Sequence, residues 1–263
     1  MIPRAILTRI DRVAVQGRTG PILSACETDG EDDEIEVFVK LSAGCDQQVV
    51  NLAREAIAAC LAADLRLPVP KPWLVEIPPE IIPVVTDPQI ADKLRRSCPV
   101  AFGSTRSTGF SAWNSGQRLS DAMRPVATGI LLLDAIIQNP DRRAENPNCL
   151  VRGTDLRIID HELAFAHRLI LLWRAPWVLG GMRDFETPGR HIFVQELKGA
   201  PFDFNEIKSR WTALSDARLQ EYERAIPPEW AAARADIDAA LKLIAEARDN
   251  IDACIGELGR ILA

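Results

Sequence analysis

The chain has 263 residues, 47% of them apolar and 26% charged, with a formal net charge of −6. This is the composition of an ordinary soluble globular protein, long enough for one large domain or two smaller ones. The acidic balance argues against a general nucleic-acid surface, and six cysteines without a Cys-x-x-Cys pair point to reduced thiols rather than a zinc site or a disulfide frame.

The opening MIPRAILTRIDR has no long apolar core and no small-residue cleavage site, so no signal peptide is expected and the expected location is cytoplasmic. Short strands at 13–16 and 22–25 flank Gly17-Arg18-Thr19-Gly20-Pro21. Glycines there let backbone N–H groups approach a phosphate, which makes Gly20 a candidate nucleotide contact. Gly and Pro also mark any hairpin. Residues 28–34 read as an acidic turn. The run 35–41 then alternates as a strand, with Ile35, Val37, Val39 and Leu41 on one face and Phe38 and Lys40 on the other. A strand lysine usually snorkels to the surface.

Residues 47–65 form a helix with Val50, Ala53, Ile57, Cys60 and Leu61 as its apolar stripe, and Glu55 off that stripe beside Ala58, Ala59 and Ala62. Pro68, Pro70 and Pro72 end it. A strand, a turn and a second strand are expected over 73–85, a helical or loop-like piece over 87–96, and a strand over 99–105 that opens at Gly103. Residues 106–118 read as a long loop. The most apolar helix covers 123–138. Its Asp134 lies among leucines and isoleucines and must find donors, so it is read as bracing the segment that follows.

That segment, 139–165, carries the chemistry. Short apolar-rich runs at 149–152 and 156–159 around Gly153-Thr154-Asp155 predict a two-stranded hairpin. Asn146 and Asn148 lie just before it and Asp160 just after it, so they share its open end, with Asp141 five residues upstream of Asn146. Oxygen ligands on a tight frame suit Mg²⁺, and phosphoryl transfer needs that metal and a carboxylate to orient the attacking hydroxyl. His161 and His167 are too few for zinc, and His167 reads as a surface or capping residue. Beyond residue 164 the chain is mainly helical, with an irregular patch at 180–190. A seam of Ile237, Leu241, Ile244, Ile251, Ile255, Leu258 and Leu262 follows Pro228. Residues 169–179 are too short to span a bilayer and carry Arg174 and Pro176, so no membrane association is expected.

The run Asp141-Arg142-Arg143, Asn146, Asn-Pro-Asn and Ile-Ile-Asp160-His161-Glu162 resembles the HipA-like kinases, and more distantly the phosphatidylinositol 3-/4-kinases. Arg143 stands where the family has His, and Asp-His-Glu where kinases have Asp-Phe-Gly. The resemblance implies an α+β two-lobed kinase fold, with residues 1–100 as the β-rich N-lobe and 101–263 as the helical C-lobe. It implies ATP and Mg²⁺ as cofactors and transfer of the γ-phosphoryl group to a hydroxyl, Ser or Thr of a protein substrate. In that scheme Lys40, braced by Glu55, holds the α/β-phosphates, and Gly20 lies at the phosphate loop. Phe102 and Gly103 lie at the adenine-contacting link. Asp141 orients the hydroxyl, Asn146 and Asp160 hold the metal, and Arg142 and Asn148 support them. An antitoxin-like partner is a further expectation from the family, with the protein a monomer or dimer. A pseudokinase acting as a nucleotide-binding module, and a small-molecule or lipid kinase, are the rival readings.

Overall fold

In the computed structural model, which describes residues 2–14, 19–28, 31–114, 116–201 and 203–263, the chain opens with three antiparallel strands. These are β1 (Arg4–Val13), β2 (Ile22–Thr28) and β3 (Glu31–Lys40). The expected first strand at 13–16 is corrected to β1, and its Gln16 lies outside the described residues, as do Gly17 and Arg18. β1 escapes a reading by periodicity because Arg4, Arg9, Asp11 and Arg12 interrupt the alternation, although Ala5 and Leu7 are buried. The strand expected at 35–41 starts four residues earlier, inside the acidic run, of which Asp29 and Gly30 are also outside the described residues.

After β3 come helix α1 (Val49–Asp64), β4 (Pro72–Glu76), α2 (Pro88–Arg96) and β5 (Val100–Thr105). The strands close a barrel in the order β1-β2-β3-β5-β4, sealed by parallel pairing of β1 with β4. Leu7, Ile22, Val37, Val39, Trp73, Val75 and Ala101 fill it. Gly103 is required inside, because a Cβ there would lie 2.6 Å from side-chain carbons of both Val37 and Val75. The second strand expected before residue 85 is instead a 3₁₀ helix, Pro79–Val84. Pro78, Pro79 and Pro83 lack the N–H that a ladder needs. Asp87 caps α2, accepting from the N–H groups of Gln89 and Ile90. Helix α1 is buried well beyond the expected stripe: Asn51, Arg54 and Glu55 are buried along with its leucines and every alanine but Ala63, while Val50 and Cys60 are only half-buried.

The remaining elements are β6 (Ser111–Ala112), α3 (Arg124–Ile136), β7 (Cys149–Arg152), β8 (Asp155–Ile158), α4 (Val194–Leu197), α5 (Asn205–Thr212), α6 (Asp216–Ala225), α7 (Arg234–Asp249) and α8 (Ile251–Leu262). β6, β7 and β8 form a small antiparallel sheet, with β6 inside the stretch expected to be all loop. The C-terminal seam breaks between α7 and α8 at Asn250. The chain divides into two compact units. The first comprises Met1–Cys60, Pro70–Thr108 and Glu221–Ile237. The second comprises Leu61–Val69, Gly109–Gln220 and Asp238–Ala263. The returning segment is tied into the first unit by Trp230, whose Nε1 donates to the Val100 carbonyl at 2.9 Å, and by Asp236, paired with Arg54 at 2.7 Å. All six cysteines are free thiols, and no described helix is long and apolar enough to cross a membrane.

Candidate active site

In the first unit, Lys40 ends β3 and Glu55 lies close to the middle of α1. Lys40 Nζ donates to Glu55 Oε2 at 3.0 Å, with the side chains only 9% and 6% exposed. Lys40 is thus buried against the carboxylate expected to brace it, rather than snorkelling to the surface as a strand lysine usually does, and enclosing such a pair carries a desolvation cost. Gly20 follows the hairpin connection, and its carbonyl and that of Thr19 accept from Lys93 Nζ at 3.0 and 2.5 Å. Burial pushes the Lys93 ammonium below its ordinary range. Phe102 and Gly103 lie within β5, paired on one side with Lys40 and Val39 and on the other with Leu74 and Trp73. Their backbone groups are committed to the sheet rather than open to a base.

In the second unit the site grows from the end of α3. Gln138 adopts a left-handed backbone, φ 56°, and the Asn139 N–H bonds back to the Asp134 carbonyl at 2.9 Å. This closure of a helix terminus reverses the chain before Pro140. Asn139 Nδ2 also donates to Asp134 Oδ1 at 2.8 Å, and its own Oδ1 accepts from the Asp141 N–H at 3.1 Å.

Arg142 is the hub. It is fully buried, with Nε on Asp134 Oδ2 at 2.6 Å. Its Nη1 donates to the carbonyls of Asn148 and Ile159, the residues at the two feet of the hairpin. Nη2 reaches His161 Nε2 at 2.9 Å, and because a guanidinium only donates, that imidazole nitrogen accepts. Arg142 thus ties α3 to both feet of the hairpin. His191 completes it. Its Nδ1 accepts from the Phe193 N–H at 3.2 Å, so Nε2 carries the hydrogen donated to Asp134 at 3.0 Å. Burial pushes the Asp134 carboxyl up, but Arg142 and His191 outweigh it and hold the group well below the usual carboxylate range. Burial likewise drives His191 below its ordinary 6.5, against the pull of Asp134.

On this frame sits Asp141. Its Oδ2 accepts from Asn146 Nδ2 at 2.7 Å and Asn148 Nδ2 at 3.1 Å, and its Oδ1 from Arg143 Nη2 at 3.2 Å. The hairpin follows, with Arg152 opposite Asp155 around Gly153, whose φ is 58°. At its open end the Ile159 N–H donates to the Asn148 carbonyl at 3.1 Å. Asn148 and Asp160 are both left-handed, φ 43° and 61°, so the chain turns sharply on entering and leaving the hairpin.

A family model described as HipA-like kinase matches residues 7–255. The chain belongs to the HipA-like kinases. Among solved structures, this HipA-like kinase is similar to the proinflammatory kinase CtkA of Helicobacter pylori. That pair shares 11% identity and a TM-score of 0.44, over 93% of this chain and 98% of the other. No curated protein matches it.

The donor set of this HipA-like kinase fits a hard divalent cation. Asn146 and Asn148 spend their amide nitrogens on Asp141, which leaves a carboxamide oxygen on each, and Asp160 adds a carboxylate at the same end of the hairpin. Among the described residues no group of three or more His, Cys, Asp or Glu is placed to hold a metal. Neither His191 nor Lys93 stands out in the sequence. A lone imidazole after an irregular patch and a lysine on a short helix have no pattern, and their partners lie 57 and 74 residues away.

Proposed function

We propose that the protein transfers the γ-phosphoryl group of ATP, with Mg²⁺, to a Ser or Thr hydroxyl of a protein substrate, on a two-lobed fold of the kind shared by HipA-like and phosphatidylinositol kinases. The observation that carries this is the convergence of Asn146 and Asn148 on Asp141 beside the Asn148–Ile159 closure. A carboxylate meant only to turn the chain needs no such frame.

In this reading Asp141 receives the hydroxyl proton as the acceptor oxygen bonds to the γ-phosphorus and the bond to the β–γ bridging oxygen breaks, releasing ADP. Asn146, Asn148 and Asp160 would hold Mg²⁺, which supplies charge neutralisation at the phosphate oxygens. Lys40, kept extended by Glu55, holds the α/β-phosphates. Arg142 and Asp134 keep the loop and both feet of the hairpin in register.

Two aspartate variants test the roles. Asp160→Asn should weaken Mg²⁺-dependent ATP binding as well as turnover. Asp141→Asn should leave ATP-Mg²⁺ affinity within about a few-fold while turnover falls at least roughly a hundredfold. Calorimetric titration beside a radiolabelled-ATP transfer assay, on the protein alone and then with lysate, measures both. The reverse pattern overturns the assignment, and full activity in both variants removes the kinase reading of this segment.

One observation favours a second reading. Arg143 occupies Asp141 from the position where the family has His, as expected of a nucleotide-binding module with little transfer. Arg143→His should then raise transfer without changing ATP affinity.

A further inference from the structure

Six of the ten exposed large apolar side chains among the described residues fall between positions 169 and 179: Leu169, Ile170, Leu171, Leu172, Val178 and Leu179. Patches of this kind on a protein surface mark interaction sites. The backbone here makes two successive tight turns. The Ile170 N–H donates to the His167 carbonyl at 3.1 Å, and the Trp173 N–H to the Ile170 carbonyl at 3.3 Å. Leu171 and Leu172 form the corner of the second turn and are 90% and 86% exposed. Exposure so near completion means a convex tip. Leu172 is also left-handed, φ 56°, a conformation that Gly or Asn would adopt at less steric cost. Two unfavourable choices coincide at one corner, and no packing within the unit compensates for either.

Along the sequence of the tip the charge is one-sided: from residue 163 to residue 183 there is no Asp or Glu, while Arg168, Arg174 and Arg183 are all exposed, in a chain whose net charge is −6. Asp184 follows directly, and Glu246 lines the same cleft as Arg168 and Trp173. Trp173 lies half-buried at the base, its ring 4.9 Å from that of His167.

We propose that this tip anchors the protein on the surface of an anionic lipid bilayer. Leu171 and Leu172 enter the headgroup–acyl boundary, the three arginines meet lipid phosphates and carboxylates, and Trp173 sits at the level of the interface. A protein partner fits less well. Protein interfaces centre on aromatic anchors seated in pockets, whereas here an aliphatic pair projects and the aromatic ring is withdrawn. The segment is too short to span a bilayer, but lying on one requires no spanning length. The inference is independent of the phosphoryl-transfer reading.

The test is co-sedimentation of the full chain with phosphatidylcholine vesicles carrying a roughly one-third share of phosphatidylserine, beside vesicles of phosphatidylcholine alone. Binding to the mixed vesicles is expected. It should fall at least about tenfold on neutral vesicles or at high salt. The double variant Leu171→Ser/Leu172→Gly should lower partitioning by at least about tenfold, with a melting temperature no lower than that of the parent, because both side chains are solvent-exposed and Gly relieves the left-handed corner. Leu171→Ser alone should give an intermediate loss, separating lost contact from any change at the left-handed corner. Absence of binding to the mixed vesicles, or equal binding by the double variant, overturns the proposal. So does tip-dependent self-association by light scattering without vesicle binding, which would make this an interface between copies.

Discussion

Lys40 and Glu55 show how a single pair separates stability from function. Each is buried, so deleting either leaves the other charged and enclosed, at a cost of about 3 kcal/mol. Lys40→Met with Glu55→Gln should recover much of that stability, because both charges leave together, while transfer stays lost. Urea unfolding of the two singles and the double measures the coupling, and additive losses would show that the pair does not act as a unit. His191 allows a second residue-scale prediction. Its folded pKa lies below the ordinary 6.5, so as pH falls below that value the unfolded chain takes up a proton that the folded chain refuses, and stability declines. Asp134, whose folded pKa is depressed, adds a further loss as pH drops below its ordinary 3.8. His191→Gln, which keeps a donor for Asp134, should flatten the decline just below pH 6.5 and leave the more acidic one. An unchanged slope would show that His191 does not carry it.

At the scale of elements, two glycines distinguish conformational from steric need. Gly153 is left-handed with open space where a Cβ would point, so Gly153→Ala should cost about 1 kcal/mol through the backbone alone. Gly103 has two valines within 2.6 Å of that point. Gly103→Ala should therefore cost more, about 1–3 kcal/mol of overpacking. Chemical denaturation of both variants ranks them, and the opposite order would mean that the barrel yields more easily than the turn. The hairpin was legible in the sequence because its turn residues sit between two apolar runs; its first strand has the expected bounds and its second begins and ends one residue earlier than expected. β1 was not legible, since charged side chains hide the burial of Ala5 and Leu7. Nor was the 3₁₀ helix at Pro79–Val84, where the β-branched Ile81, Ile82 and Val84 imitate a strand and the missing proline donors oppose it. Asp134 was recognisable as a brace because a carboxylate in a leucine-rich helix must be paired. Which residues pair with it depends on chain reversals that no local pattern encodes.

For the whole molecule, ligand linkage gives the broadest check. A nucleotide bound only by the folded chain adds about 2.7 kcal/mol at a hundredfold excess over Kd, so ATP with Mg²⁺ should raise the melting temperature by several degrees and ATP alone by less. No shift at millimolar ATP-Mg²⁺ would count against a nucleotide site. The order of units along the chain was not legible, because nothing near residues 221–237 advertises their return to the barrel-bearing unit. That return sets a timetable for synthesis. The barrel strands leave the ribosome well before Trp230 and Asp236, which bond to Val100 and Arg54. On a nascent chain the first unit must wait, unfinished, until residues 221–237 have followed the intervening part of the second unit. A chain cut short just before Glu221 would keep Lys40, Glu55, Asp141, Asn146 and Asp160, and it should still fail, for want of the segment that completes the unit holding the first two.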